Sequence, residues 1–253
     1  MLREYRFHVV ASLAYFVVLE LLLAGAIYLW PKFETSMDTL RGFIPLEAVS
    51  NMFDQIEEAG VSAYVDGQHF FKGCNTVGTL AAIVFAMGAV AGEAHRGTLE
   101  IWLARPLSRR RILFERWLVG ALAVVVPVFL SSATVPPLLS HLQEEMDLGR
   151  LMLTSIQESL LLLSIYGVTF LFSCLSSRPI LIAFVMLMFA IFEFALYMIP
   201  TVTHASIFRL SDIEVFAGIG ASGGLDPRLW VPLALVVAGT LWASLWVFER
   251  RVP

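Results

Sequence analysis

Charge is scarce in this sequence: Asp, Glu, Lys and Arg make up 15% of its 253 residues, against about 25% in soluble domains. Lysine is nearly missing, since Lys32 and Lys72 are the only two among 17 basic residues. The two cysteines, Cys74 and Cys174, cannot form a disulfide framework. No G-x-x-x-x-G-K-[ST] occurs, because Lys32 follows Pro31 and Lys72 follows Phe71, so the chain has no P-loop. Neither H-E-x-x-H nor a Cys/His cluster is present, and His69 with Cys74 lacks a third ligand. Together these absences exclude a soluble enzyme, a secreted disulfide scaffold and a disordered chain. They also leave no catalytic motif and no metal site, and nothing points to nucleic acid.

What is abundant is apolar: 58% of residues are hydrophobic, and the mean hydropathy is +0.78. The excess falls in runs near 20 residues, the length that crosses a hydrocarbon core at about 1.5 Å per residue. Six spans are predicted, at about 9–30, 76–92, 112–130, 151–175, 180–199 and 229–248. The expected fold class is all-α, a polytopic membrane protein forming a single transmembrane domain over 1–253. The first run also follows Arg3 and Arg6 as a signal peptide does, but it greatly exceeds an h-region of roughly 7–15 residues and is read as a retained helix.

Arginine sets the orientation. Residues 1–8, 93–111, 176–179 and 249–253, with the adjoining Arg116, hold Arg3, Arg6, Arg96, Arg105, Arg109, Arg110, Arg111, Arg116, Arg178, Arg250 and Arg251, eleven in all. The opposite segments (31–75, 131–150 and 200–228) hold six: Lys32, Arg41, Lys72, Arg150, Arg209 and Arg228. The positive-inside rule therefore places both termini and the 93–111 loop in the cytoplasm. The two cysteines then lie near opposite faces, and no bridge between them is expected.

The outer segments carry structure of their own. Ile44, Val49, Met52, Phe53 and Ile56 recur at helical spacing and predict an amphipathic helix. Ser211-Asp212-Ile213-Glu214 fits a capping box opening a short helix through Val215 and Phe216, broken by the Gly218–Gly224 stretch. Gly220-Ala221-Ser222-Gly223 matches the G-x-S-G of rhomboid-type proteases. It sits in an outer loop, and the predicted spans hold no histidine to activate a serine, so it is read as a turn.

The 93–111 loop is the most informative segment. Thr98 suits the N-cap of a short helix with Leu99, Trp102 and Leu103 on one face, stopped by Pro106. A second helix starts at Ser108 and runs into the third span. Arg109, Arg110 and Arg111 occupy its first turn, where the helix dipole disfavours cations. A positive-inside anchor alone explains the triplet, as would anionic headgroups or an acidic partner, and the apolar face needs a cover, either membrane interface or partner protein.

Glu93-x-x-Arg96-Gly97-Thr98-Leu99-Glu100, followed by Leu103-Ala104-Arg105-Pro106-Leu107-Ser108-Arg109, resembles the loop between the second and third spans of ABC-2 type transporter permeases. The six-span layout is similar as well, so the resemblance covers essentially the whole chain. It implies that Glu93, Arg96, Gly97, Thr98, Leu99, Glu100, Trp102, Leu103, Arg105, Pro106, Ser108 and Arg109 form the coupling loop on which a separate ATPase docks. It further implies an exporter in a bacterial cytoplasmic (inner) membrane, built from two permease subunits, identical or paralogous, and two copies of a P-loop ATPase. The chain itself would hold no cofactor; ATP and Mg would act through that partner, and lipids would surround the spans. Family members carry a cytoplasmic-face helix before the first span, for which eight residues leave little room. They also carry a partly re-entrant loop before the sixth span, which residues 200–228 suit.

Three carboxylates fall well inside predicted spans: Glu20, Glu158 and Glu193. A charged carboxylate at mid-bilayer costs about 2.5–3.5 kcal/mol on insertion scales, so each must be protonated, paired or facing a wet cavity. They are candidates for a substrate pathway or a dimer seam. The resemblance favours the seam for Glu193, because the family's fifth span faces the dimer interface. A competing reading makes the chain a non-transporting membrane scaffold or assembly factor that binds a cytosolic partner.

Overall fold

The structure, a computed structural model, describes residues 2–41, 47–103 and 107–251. Its α-helices are α1 (Leu2–Arg41), α2 (Glu47–Ala59), α3 (Val61–Val65), α4 (Thr79–Met87), α5 (Ala91–His95), α6 (Leu99–Leu103), α7 (Arg109–Ser140), α8 (Leu148–Leu175), α9 (Pro179–Tyr197), α10 (Ile213–Ser222) and α11 (Pro227–Arg250). A π-helical stretch, Asp66–Gly78, joins α3 to α4, and 3-10 turns occupy Thr203–Ala205 and Ile207–Ser211. Six helical segments are long and apolar enough to cross a membrane.

The second of these corrects the expected boundary. The candidate span is Val61–Met87 rather than one from about Thr76, so residues 61–75, read from the sequence as outer loop, are helical and continuous with it. Asp66, Gly67, Gln68, His69 and Asn75 hid it from hydropathy; four of them, Asp66, Gly67, His69 and Asn75, are buried against neighbouring helices. His69 is thus a histidine within a span, which the sequence reading did not expect. Preceding it, α1 continues past Pro31, and Trp30, Phe33, Phe53 and Tyr64 stack where α1, α2 and α3 meet, with Phe33 and Phe53 centroids 5.8 Å apart and 4° from parallel. Of the amphipathic stripe, Phe53 and Ile56 are buried; Ile44 and the side chains of Val49 and Met52 lie outside the described residues.

Two close approaches hold the bundle. A Cβ on Gly167 would sit 2.3 Å from Thr240 Oγ1, so the backbone of α8 receives the Thr240 side chain of α11; on Gly120 it would sit 2.2 Å from Tyr166 Oη, which seats the ring of α8 on α7. Proline is accommodated by borrowed donors. Pro127 in α7 has no N–H for the carbonyl of Ala123, and Ser12 Oγ of α1 donates to that oxygen at 2.9 Å.

Both chain ends lie at the same end of the bundle. His8 packs 5.8 Å from Phe85, near the close of α4, and Arg251 binds the last carbonyls of α8. The 88–111 segment occupies this end too. At the opposite end, the capping box is shifted by one residue: Asp212, not Ser211, caps α10, accepting from Val215 N at 3.0 Å. The glycine-rich stretch does not break this helix at Gly218 either. It continues to Ser222, and Gly223 ends it in the left-handed conformation, φ 66°.

Candidate functional site

The loop between the second and third spans is built around one carboxylate. Glu93, on α5, is 5% exposed. The Arg96 guanidinium pairs with Glu93 Oε1, and Thr98 Oγ1 donates to Oε2. Thr98 N also donates to the Glu93 carbonyl, at 3.0 Å. This return is possible because Gly97 is left-handed, φ 69°, a conformation glycine adopts without steric cost. The Glu-x-x-Arg-Gly-Thr pattern is therefore a knot: an acid, two donors to its two oxygens, and a glycine that turns the chain between them.

From the knot, α6 projects as a single short turn. Leu99 is buried and Glu100 faces out, while Ile101 is 64% exposed. Arg105, Pro106 and the side chains of Trp102 and Leu103 lie outside the described residues. Ser108 then caps α7, its Oγ accepting from Arg111 N at 3.3 Å.

The arginine triplet finds intramolecular partners. Arg109 Nη1 donates to the carbonyls of Glu249 (3.1 Å) and Arg251 (2.8 Å). Arg110 grips the Glu249 carboxylate with two nitrogens, and Arg111 pairs with Glu115 at 2.9 Å. Arg109 and Arg110 thus bind the end of α11, some 140 residues away in sequence, partners that the sequence reading did not name.

The three membrane carboxylates do not share one site. Glu20 accepts from Thr134 Oγ1 at 2.8 Å, joining α1 to α7. Glu158, fully buried on α8, accepts from Ser211 Oγ at 2.8 Å. Glu193 Oε2 accepts from Ile207 N at 2.9 Å, and its carbonyl accepts from Ser206 Oγ. Glu158 and Glu193 therefore both pin the 206–211 segment. Gln157 and Asn75 add bonds to the carbonyls of Leu210 (2.6 Å) and Ser211 (3.0 Å). Glu158 lies about 15 Å along α8 from its start at ~1.5 Å per residue, so this segment dips between the helices. Just beyond it, burial pushes the Asp212 carboxyl above its ordinary range, opposed by Val215 N and the Arg209 guanidinium.

Two further buried groups escaped the sequence reading. Asp66 of the π-helix pairs with Arg150 of α8. His69 Nε2 lies 3.2 Å from Ser132 Oγ, and Ser155 Oγ donates to Ser132 Oγ at 2.8 Å, linking the π-helix, α7 and α8. The signal was available: a span beginning near Val61 would have put Asp66 and His69 inside the bundle. Ser222 Oγ, the serine of the G-x-S-G match, donates instead to Gly218 O at 2.7 Å on an exposed turn. Among the described residues, no group of three His, Cys, Asp or Glu side chains is placed to hold a metal ion. Both cysteines are buried free thiols.

Comparison with known families gives one match: the model described as ABC-2 family transporter protein, over residues 2–211. No curated protein matches the chain.

Proposed function

Because this chain belongs to the ABC-2 transporter family, as an integral membrane permease component, we propose that it is the membrane subunit of an exporter driven by a separate ATPase seated on residues 93–109. The observation that carries the reading is the Glu93 knot. It precedes a short helix whose Leu99 is packed into the core while Glu100 and Ile101 are turned outward, at the end of the molecule that gathers the chain termini. A rigid projecting turn with an exposed apolar residue suits a protein partner.

Catalysis on this reading belongs to the partner: ATP and Mg act there, and the permease contributes the docking turn and the moving helices. Two ATPase copies and a second permease subunit complete the assembly. The outward face of α9, with Ile180, Phe184 and Phe192 more than half exposed, suits that second subunit or lipid. The arginine excess supports a cytoplasmic docking end, and the family analogy favours a bacterial inner membrane.

A photo-cross-linker at Ile101, followed by purification from the native host in mild detergent, tests the reading. Cross-linking to a soluble subunit with a P-loop is the expected result. If Ile101 links only to lipid, or to a cytosolic protein without nucleotide-binding motifs, the docking assignment fails and the scaffold reading replaces it.

A further inference from the structure

The docking loop is tied at both of its ends to the close of α8, directly at its entry and through the end of α11 at its exit. At its entry, the second span breaks after Met87, and Gly88, Ala89 and Val90 turn before α5 begins. One hydroxyl closes that break. Ser173 Oγ, on α8 and fully buried, accepts from Val90 N and Ala91 N, each at 3.0 Å, and donates to Met87 O at 3.0 Å. A serine hydroxyl has one donor and two acceptor sites, so its whole capacity is spent on this joint. Arg116 of α7 takes the remaining carbonyl of the turn, Ala89 O, at 2.7 Å.

At its exit, the loop is tied through the chain end. Arg109 and Arg110 hold Glu249 and the Arg251 carbonyl. The Arg251 guanidinium in turn binds the carbonyls of Ser173 (3.3 Å), Cys174 (2.6 Å) and Ser176 (3.1 Å), which a helix C-terminus leaves without intrahelical donors. Residue 173 therefore meets both arms: its side chain holds the entry and its carbonyl receives the exit.

We propose that Ser173, with Arg251 behind it, is the positioning residue that transmits movement of the docking loop to α8 and α11. This rests on the permease reading and extends it. A load on α6 reaches α5 through the Glu93 knot, and at the Met87–Ala91 break it has two routes: bending of the turn, or displacement of α8. The Ser173 hydroxyl blocks the first and so selects the second. Without it, the turn keeps the Arg116 bond to Ala89 O and its own backbone bonds but loses the tie to α8 that resists bending.

The test uses the whole complex, purified with its ATPase, carrying spin labels at Tyr28→Cys and Arg228→Cys. Both sites are exposed at the end opposite the loop, and the native cysteines are buried. The interlabel distance is measured with and without ATP and vanadate. The native hydroxyl should give a nucleotide-dependent shift. Ser173→Ala should lose most of it while the ATPase still co-purifies and hydrolyses ATP, and Ser173→Thr should restore it. Should Ser173→Ala prevent assembly, Arg251→Ala loosens the same joint from the partly exposed side and should show the same loss. A full shift in either alanine variant overturns the proposal. A parent complex that hydrolyses ATP without any shift overturns it alone, whereas a parent chain that retains no ATPase removes the permease reading as well.

Discussion

The Arg150 guanidinium of α8 lies between the Asp66 carboxylate and the backbone of Gly220, where a Cβ would stand 2.6 Å from Arg150 Nε. This one cation joins the π-helix, α8 and α10. Its side chain is 17% exposed and that of Asp66 is fully buried, so removing one partner strands a charge. Asp66→Asn should cost about 3–5 kcal/mol, read as a lower unfolding temperature in detergent. The double change Asp66→Leu with Arg150→Met should regain most of it. Equal losses in the single and double variants would show that the pair does not act as a unit.

The bond from Ser12 to Ala123 O exists because Pro127 supplies no donor. Ser12→Ala should therefore destabilise by about 0.5–1.5 kcal/mol. Pro127→Ala returns an N–H within reach of that carbonyl, and in its background the Ser12 effect should shrink toward zero. An unchanged Ser12 effect in both backgrounds would refute this account of how α7 tolerates its proline.

Gly120→Ala places a methyl 2.2 Å from Tyr166 Oη, and overpacking of this kind costs about 1–3 kcal/mol. Tyr166→Phe removes the nearest clashing atom, leaving Cε2 and Cζ at 2.9 Å, and it also removes the 3.0 Å bond to Trp117 O. The combined variant should be more stable than the sum of the two single effects implies, a coupling that denaturation of all four forms measures.

Gly97→Ala should act on docking rather than on folding. The φ of 69° costs an L-residue about 1–2 kcal/mol, and the backbone can release that strain by loosening the Glu93 knot while the ties at the two ends of the loop stay in place. Less ATPase should co-purify, while the unfolding temperature stays near that of the parent. Unchanged co-purification would mean that the knot does not set the pose of α6.

Long apolar runs such as Val9–Trp30 and Ile180–Ile199 made the spanning helices legible, because length and hydropathy are local properties. The turn that follows the second span was legible in outline for a related reason: Gly97 and Ser108 are local punctuation. The start of the second span was not, since Asp66, His69 and Asn75 look like a loop until their partners Arg150, Ser132 and Ser211 are known. Those partners lie 63 to 136 residues away. The same distance hid the Arg110–Glu249 pair and the Ser173 joint, where a serine in an apolar helix gives no sign of the backbone break it closes. The shift of the cap from Ser211 to Asp212 has a tertiary cause as well, because Ser211 Oγ is already engaged by Glu158.

The central claim, that an ATPase docks on the 93–109 loop from the cytoplasm, is tested most directly at Ile101→Cys. Membrane vesicles of both orientations are treated with an impermeant thiol reagent, with and without the purified ATPase subunit; buried Cys74 and Cys174 should contribute no background. The account predicts labelling only where the cytoplasmic face is outward, and protection of that site by the bound ATPase. Labelling from the opposite face, or labelling that the ATPase leaves unchanged, would contradict it.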